Sequence, residues 1–136
     1  MRQAKTLVVK FEGWEDFKGR VKSALRKGRA SLARKDTLVF NSVADYQKFM
    51  TEQKLAILAA ILSKKPSSIY RLAQLVERDF ANVQRDCTAL EAMGFIRLDA
   101  SGDTKGSKAP RLAFSYTRIV ILMPKVSYSH ELGRAA

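Results

Sequence analysis

Apolar residues recur at two different periods along this chain, and the switches between them mark out its elements. In "KTLVVKF", Lys5 to Phe11, they cluster and are rich in β-branched valine, the pattern of a short strand. Gly13 interrupts it. From Trp14 they recur every three to four positions, at Trp14, Phe17, Val21, Leu25 and Leu32, which is one face of a helix. Lys18, Arg20, Lys22, Arg26, Lys27 and Arg29 fill the other face, and Gly28 is a candidate C-terminal stop. "DTLVFN", Asp36 to Asn41, is a second short strand, expected to pair with the first because neither is stable alone.

Helical spacing then takes over. Ser42 and Asp45 stand in capping-box spacing at the head of a short helix. Thr51 is placed to cap "EQKLAILAAILSKK", which is apolar nearly all round from Leu55 to Leu62 and is therefore expected to be buried in the middle of its domain. Pro66 stops that helix and Ser67 is the expected cap of the next. In "SIYRLAQLVER" the residues Ile69, Leu72, Ala73 and Val76 share a face. In "FANVQRDCTALEAMG" so do Phe80, Val83, Cys87 and Leu90. Only Glu77, Arg78 and Asp79 remain for the turn, and Asp79 can cap the second helix. So short a connection holds two helices at a steep angle. After Gly94 come "FIRLD", a polar Gly-rich loop "ASGDTKGSKAP", and "RLAFSYTRIVILM", read as strand, loop and one long strand, that is, a hairpin. Helix, tight helix pair, hairpin is the element order of a winged helix.

Charge sharpens this picture. Lys and Arg number 25 against 13 acidic residues, a net charge of +12. Such an excess favours an anionic partner. The run "KGRVKSALRKGRASLARK", Lys18 to Lys35, contains no acidic residue; it is either a solvated helix face or a binding surface. The single cysteine, Cys87, allows no intrachain disulfide and suits a reducing compartment. No stretch reaches the apolar length of a membrane span, and the N-terminus does not read as a signal peptide. A cytoplasmic protein with no membrane association is expected. Cys87 lies on the apolar face of its helix, and with one His and one Cys there is no metal-ligand spacing. No nucleophile has a base in evident reach, and Gly102 and Gly106 lack the order of a phosphate-binding loop. The reading is therefore no enzyme, no cofactor and no metal.

The run "NVQRDCTALEAMGFI" has the shape Val-x-x-x-hydrophobic-x-x-Leu-x-x-x-Gly-hydrophobic-Ile. It resembles winged helix-turn-helix transcriptional regulators, most broadly the MarR-like group. More narrowly, the Asn-Val-x-Arg-Asp run and the opening "TLVVKFEGWEDF" are similar to a group of prokaryotic DNA-binding proteins, some of which are taken to be antitoxins. Cys87 stands where such proteins usually have an aliphatic residue. The resemblance implies an α+β fold: a winged helix-turn-helix, with a three-helix core and a hairpin wing, preceded by a strand-helix-strand extension. On this basis residues 1–41 form the extension, for dimerisation or partner binding, 42–127 the DNA-binding domain and 128–136 a tail.

The expected function is a sequence-specific regulator on double-stranded DNA, a dimeric repressor. The alternative is an antitoxin that binds a protein toxin and regulates its own operon. Ala81, Asn82, Gln84, Arg85 and Thr88 occupy the free face of the second helix of the pair. Asn and Gln match adenine edges and Arg matches guanine, so these are the expected base-reading residues. Phosphate contacts are expected from Ser67, Ser68, Tyr70 and Arg71 at the start of the preceding helix, and from Lys105, Lys108 and Arg111 in the hairpin. Each of these, taken alone, is equally an ordinary solvated side chain. Asp86 is expected to hold a basic side chain, Arg71 or Arg85. Trp14, Phe17, Val21 and Leu25 are the expected dimer or partner interface, with Ile119 to Met123 a further candidate for dimerisation.

Overall fold

The structure, a computed structural model, describes residues 5–26, 36–100 and 106–124. The expected stop at Gly28, Leu32, the second half of the basic run, Lys105 and the 128–136 tail lie outside them. The fold is mixed α+β. In chain order the elements are β1 (Lys5–Phe11), α1 (Trp14–Arg26), β2 (Thr37–Phe40), α2 (Val43–Phe49), α3 (Glu52–Lys64), α4 (Ile69–Val76), α5 (Phe80–Met93), β3 (Ile96–Asp99), β4 (Ala109–Leu112) and β5 (Tyr116–Ile121).

Cap chemistry sets most helix starts. Ser42 Oγ accepts from the Asp45 amide and Thr51 Oγ1 from the Lys54 amide, each at 3.1 Å. Asp79 accepts from the Asn82 amide at 3.4 Å. The cap of α4 is Ser68, one residue later than expected: its Oγ accepts from the Arg71 amide at 3.1 Å, and the residue is buried. Ser67 and Ser68 were equivalent on pattern; only packing separates them. At the other end of α5, Gly94 adopts φ 94°. A Cβ there would meet Leu38 Cδ2 at 3.0 Å, so both backbone and space ask for glycine.

Two sheets result. β1 lies between β2 and β5, parallel to both, so β1–α1–β2 is a crossover unit. β3 and β4 form a separate antiparallel hairpin, with Ile96 opposite Leu112. The expected pairing of the first two strands is present. The single long strand over residues 111–123 is not. It breaks at 113–115 into β4 and β5, and β5 leaves the hairpin to join β1. The break is held at Phe95, whose carbonyl accepts from the Ala113 amide at 3.1 Å and from the Tyr116 hydroxyl at 2.8 Å. Tyr116 is buried, and burial pushes its phenol pKa up, which keeps it a neutral donor.

One core joins these parts. Leu7 and Val9 of β1, Ile57 and Ile61 of α3, Leu72 of α4, Val83, Cys87 and Leu90 of α5, and Phe95 belong to a single buried cluster. The expectation for α3 needs correcting. Ile57, Leu58 and Ile61 are buried, but Leu55 and Leu62 are 46% and 40% exposed. The helix is apolar all round, yet only one side of it is covered. The apolar side chains of α1 are likewise outside the core: Trp14 is 62% exposed, Phe17 37% and Leu25 72%, with Val21 half-buried.

Candidate nucleic-acid interface

Helix α5 has two faces of opposite character. Val83, Cys87 and Leu90 are fully buried, which fixes its rotation about its own axis. Ala81, Asn82, Gln84, Arg85 and Thr88 are consequently all exposed. Within that face Arg85 Nη1 donates to Asn82 Oδ1 at 2.9 Å, a contact between residues three apart on one helix. Thr88 Oγ1 donates back to the Gln84 carbonyl at 3.0 Å. Arg85 and Asn82 are therefore a linked pair, with the amide oxygen of Asn82 engaged by the guanidinium.

The turn before α5 is braced. Glu77 takes the left-handed conformation (φ 55°), and the Arg78 amide donates to the Ala73 carbonyl at 3.1 Å. Arg78 Nη1 then reaches across to Asp86 Oδ2 at 2.8 Å, with both side chains about four-fifths buried. The partner of Asp86 is thus Arg78, not Arg71 or Arg85. Arg78 sits in the turn, a place that helical spacing does not reveal. The pair ties the end of α4 to the second turn of α5. Asp86→Ala strands a largely buried guanidinium and is expected to cost about 1–2 kcal/mol, read from the midpoint of chemical unfolding at unchanged slope.

Between α5, the start of α4 and the hairpin lies a groove of about 640 Å³. Its walls include Tyr70 and Arg71 of α4, Phe80, Gln84 and Thr88 of α5, Leu98 of β3, and Gly106, Ser107 and Lys108 before β4. The expected site residues distribute unevenly around it. Tyr70, 58% exposed, Arg71 and Lys108 are at the surface of the groove. Ser68 lines it but is buried and spent on its cap; Ser67 lies outside its lining, beside Lys65 and Pro66. Arg111 is a strut: its Nη1 donates to the Pro66 carbonyl at 2.7 Å and to the Pro110 carbonyl at 2.8 Å, fastening the hairpin to the turn between α3 and α4. Arg97 is similarly engaged by Asp99 and by the Leu112 carbonyl. Phe80 and Leu98 were missed as lining residues. Spacing puts Phe80 on the apolar face with Val83, Cys87 and Leu90, but as the first residue of its helix it is 42% exposed.

Cys87 is fully buried, and burial pushes its thiol pKa up to about 12, with Asp86 adding to the shift and Arg78 opposing it. Thiolate is the reactive form. Native protein at pH 8 is therefore expected to resist iodoacetamide, while protein in denaturant labels completely. Rapid native labelling, followed by mass spectrometry, would contradict this placement. Among the described residues no group of three or more His, Cys, Asp or Glu side chains is placed to hold a metal ion. Among them, too, no helix is long and apolar enough to cross a membrane.

On α1, Trp14 and Phe17 stack at 5.7 Å, with Lys18 over the indole and Arg20 over the Phe17 ring. Arg20 also pairs with Glu12 at 3.0 Å, which ties α1 back to the end of β1. Trp14, Phe17, Val21 and Leu25 share the helix with Lys18, Lys22 and Arg26, a combination of apolar and basic groups held apart from the core.

No curated protein and no solved structure matches the chain. One family model does, over residues 49–121, more than half the chain, running from the end of α2 through the α4–α5 pair and the hairpin to the end of β5. The chain belongs to the HVO_A0114 family.

Proposed function

We propose that the protein is a sequence-specific regulator that binds double-stranded DNA as a homodimer, with α3, α4, α5 and the β3–β4 hairpin forming a winged helix-turn-helix. The observation that carries this reading is the face of α5. Its rotation is locked by three fully buried side chains, and Asn82, Gln84 and Arg85 are left exposed within its first two turns. Those side chains match the donor and acceptor pattern of base edges in the major groove. The tight turn, the hairpin beyond the groove and the net charge of +12 agree with it. In this reading Tyr70, Arg71 and Lys108 meet phosphates, while Ser68 and Arg111 hold the frame that presents them. Repression is the simplest outcome for a small DNA-binding protein that covers a promoter.

The test is fluorescence anisotropy on the duplex upstream of the protein's own gene and on a random duplex of equal length, at two salt concentrations. Preference for the first that survives the higher salt supports a specific regulator. Equal affinities that vanish together with salt would mean that charge alone binds. Lys108→Ala is expected to weaken both duplexes alike and to lower the salt slope by about one.

A protein partner is the second reading, favoured by α1, whose exposed Trp14, Phe17 and Leu25 stand among cations. An acidic toxin with an apolar groove would cover both features. Trp14 is the sole tryptophan, so its emission reports directly on such an encounter. Co-expression with the product of an adjacent gene should shift that emission to the blue if the two bind through α1. An unchanged spectrum in a stable complex would place the contact elsewhere.

A further inference from the structure

We propose that the outer edge of β5, together with the groove between β5 and α3, is a self-association surface that takes a second copy of this chain. The inference rests on the homodimer of the proposed function and gives it an interface, but it does not depend on DNA binding.

Among the described residues β5 ends the sheet, with β1 on one side. The Leu122 amide donates to the Val9 carbonyl at 2.8 Å. By the alternation of a strand, the amides and carbonyls of Ile119 and Ile121 then point away from β1, to the other edge. The side chains along this edge are apolar and uncovered: Val120 is 37% exposed, Ile121 48%, Leu122 47% and Met123 87%. Beside it runs a groove of about 320 Å³, walled by Leu55, Leu58 and Leu62 of α3 and by Ile119. The exposed side of α3 and β5 thus share one groove, whose wall also includes Thr117 and Arg118; by alternation Ile121 continues the face of Ile119, while Val120 and Leu122 lie on the opposite face of the strand. The opposite edge of the sheet differs, because none of the four residues of β2 is exposed.

Two features commit this surface to a copy of itself. An open strand edge is complemented by another strand edge, and two β5 strands running antiparallel about a two-fold axis satisfy each other residue for residue. Charge points the same way. Chains of +12 repel one another, and copies meeting through α1 would bring Lys18, Lys22 and Arg26 together. The run from Thr117 to Met123 holds no acidic residue and a single cation, Arg118, which donates to Thr6 Oγ1. An acidic partner or a polyanion finds little to hold here, whereas a second apolar edge does.

Sedimentation of the full chain over a wide concentration range, with amide hydrogen exchange at both ends of it, tests this. The expected result is a dimer whose Ile119 and Ile121 amides become protected as it forms, with Trp14 emission unchanged. Ile121→Pro removes one outward amide and leaves the Leu122 bond to β1. Leu62→Lys places a charge in the groove from a helix surface, where folding tolerates it. Each is expected to raise the dimer dissociation constant by about a hundredfold or more, the usual effect of an unpaired buried group. Circular dichroism checks that each variant folds, and Trp14→Ala should leave the dimer intact. Three results would overturn the proposal: a monomer throughout, a dimer that survives both variants and dissociates with Trp14→Ala, or protection of both amides already complete in the monomer, which would mean the chain covers its own edge.

Discussion

Phe95→Ala is expected to cost about 3–5 kcal/mol, the largest loss from any single side chain among the described residues. The residue is fully buried at the junction of α5, the hairpin and the β1–β2 side of the core. Its ring stacks on Phe49 at 5.8 Å and lies tilted to Phe40 at 6.4 Å. Aromatic packing of this kind adds to plain area burial. Its backbone is engaged as well, since the amide donates to the Leu90 carbonyl, closing α5, and the carbonyl holds the break between β4 and β5. Alanine keeps those backbone bonds but leaves a cavity between elements too rigid to collapse into it. Small domains have about 5–15 kcal/mol in total, so the variant should be partly unfolded at physiological temperature. Urea unfolding would show a midpoint lower by about 2 M at unchanged slope. Phe49→Ala, from a half-buried position, should lose about half as much, and equal losses would argue against Phe95 as the junction.

Arg85→Ala is expected to be nearly silent in that unfolding experiment and large in DNA binding. Its guanidinium is exposed and donates to Asn82 on the same face. If α5 reads bases as proposed, losing a bidentate contact to guanine costs about 1–3 kcal/mol, a factor of about ten to a hundred in affinity for the preferred duplex. Random duplex should lose far less. Because Asn82 holds Arg85, the two substitutions should not add: Asn82→Ala misplaces the guanidinium, and the double variant should be little worse than Arg85→Ala alone. Strict additivity would mean two independent contacts. Equal losses on preferred and random duplexes would reduce Arg85 to a phosphate contact.

The elements legible in the sequence were those with local causes. The caps at Ser42, Thr51 and Asp79 and the stop at Gly94 follow from side-chain and backbone chemistry within a few residues. The free face of α5 followed from the spacing of Val83, Cys87 and Leu90. What could not be read depends on distant partners. "RLAFSYTRIVILM" has no breaker residue; its first half pairs with β3 and its second with β1, and the Phe95 carbonyl holds the bend at 113–115 between them. α3 is apolar all round, yet one side is bare, and no periodicity says which side a core will cover. Arg111 reads as a phosphate contact and Arg78 only as a turn residue because their partners, the Pro66 carbonyl and Asp86, are brought to them only by the fold.

The measurement that bears most directly on base reading by α5 is selection from a pool of random-sequence duplexes, run in parallel on the wild-type protein and on Arg85→Ala. The wild type should enrich one motif containing a guanine, repeated as two inverted half-sites. Arg85→Ala should lose preference at that guanine while keeping the flanking positions. A pool that stays random with both proteins, or a motif that Arg85→Ala enriches unchanged, would contradict it.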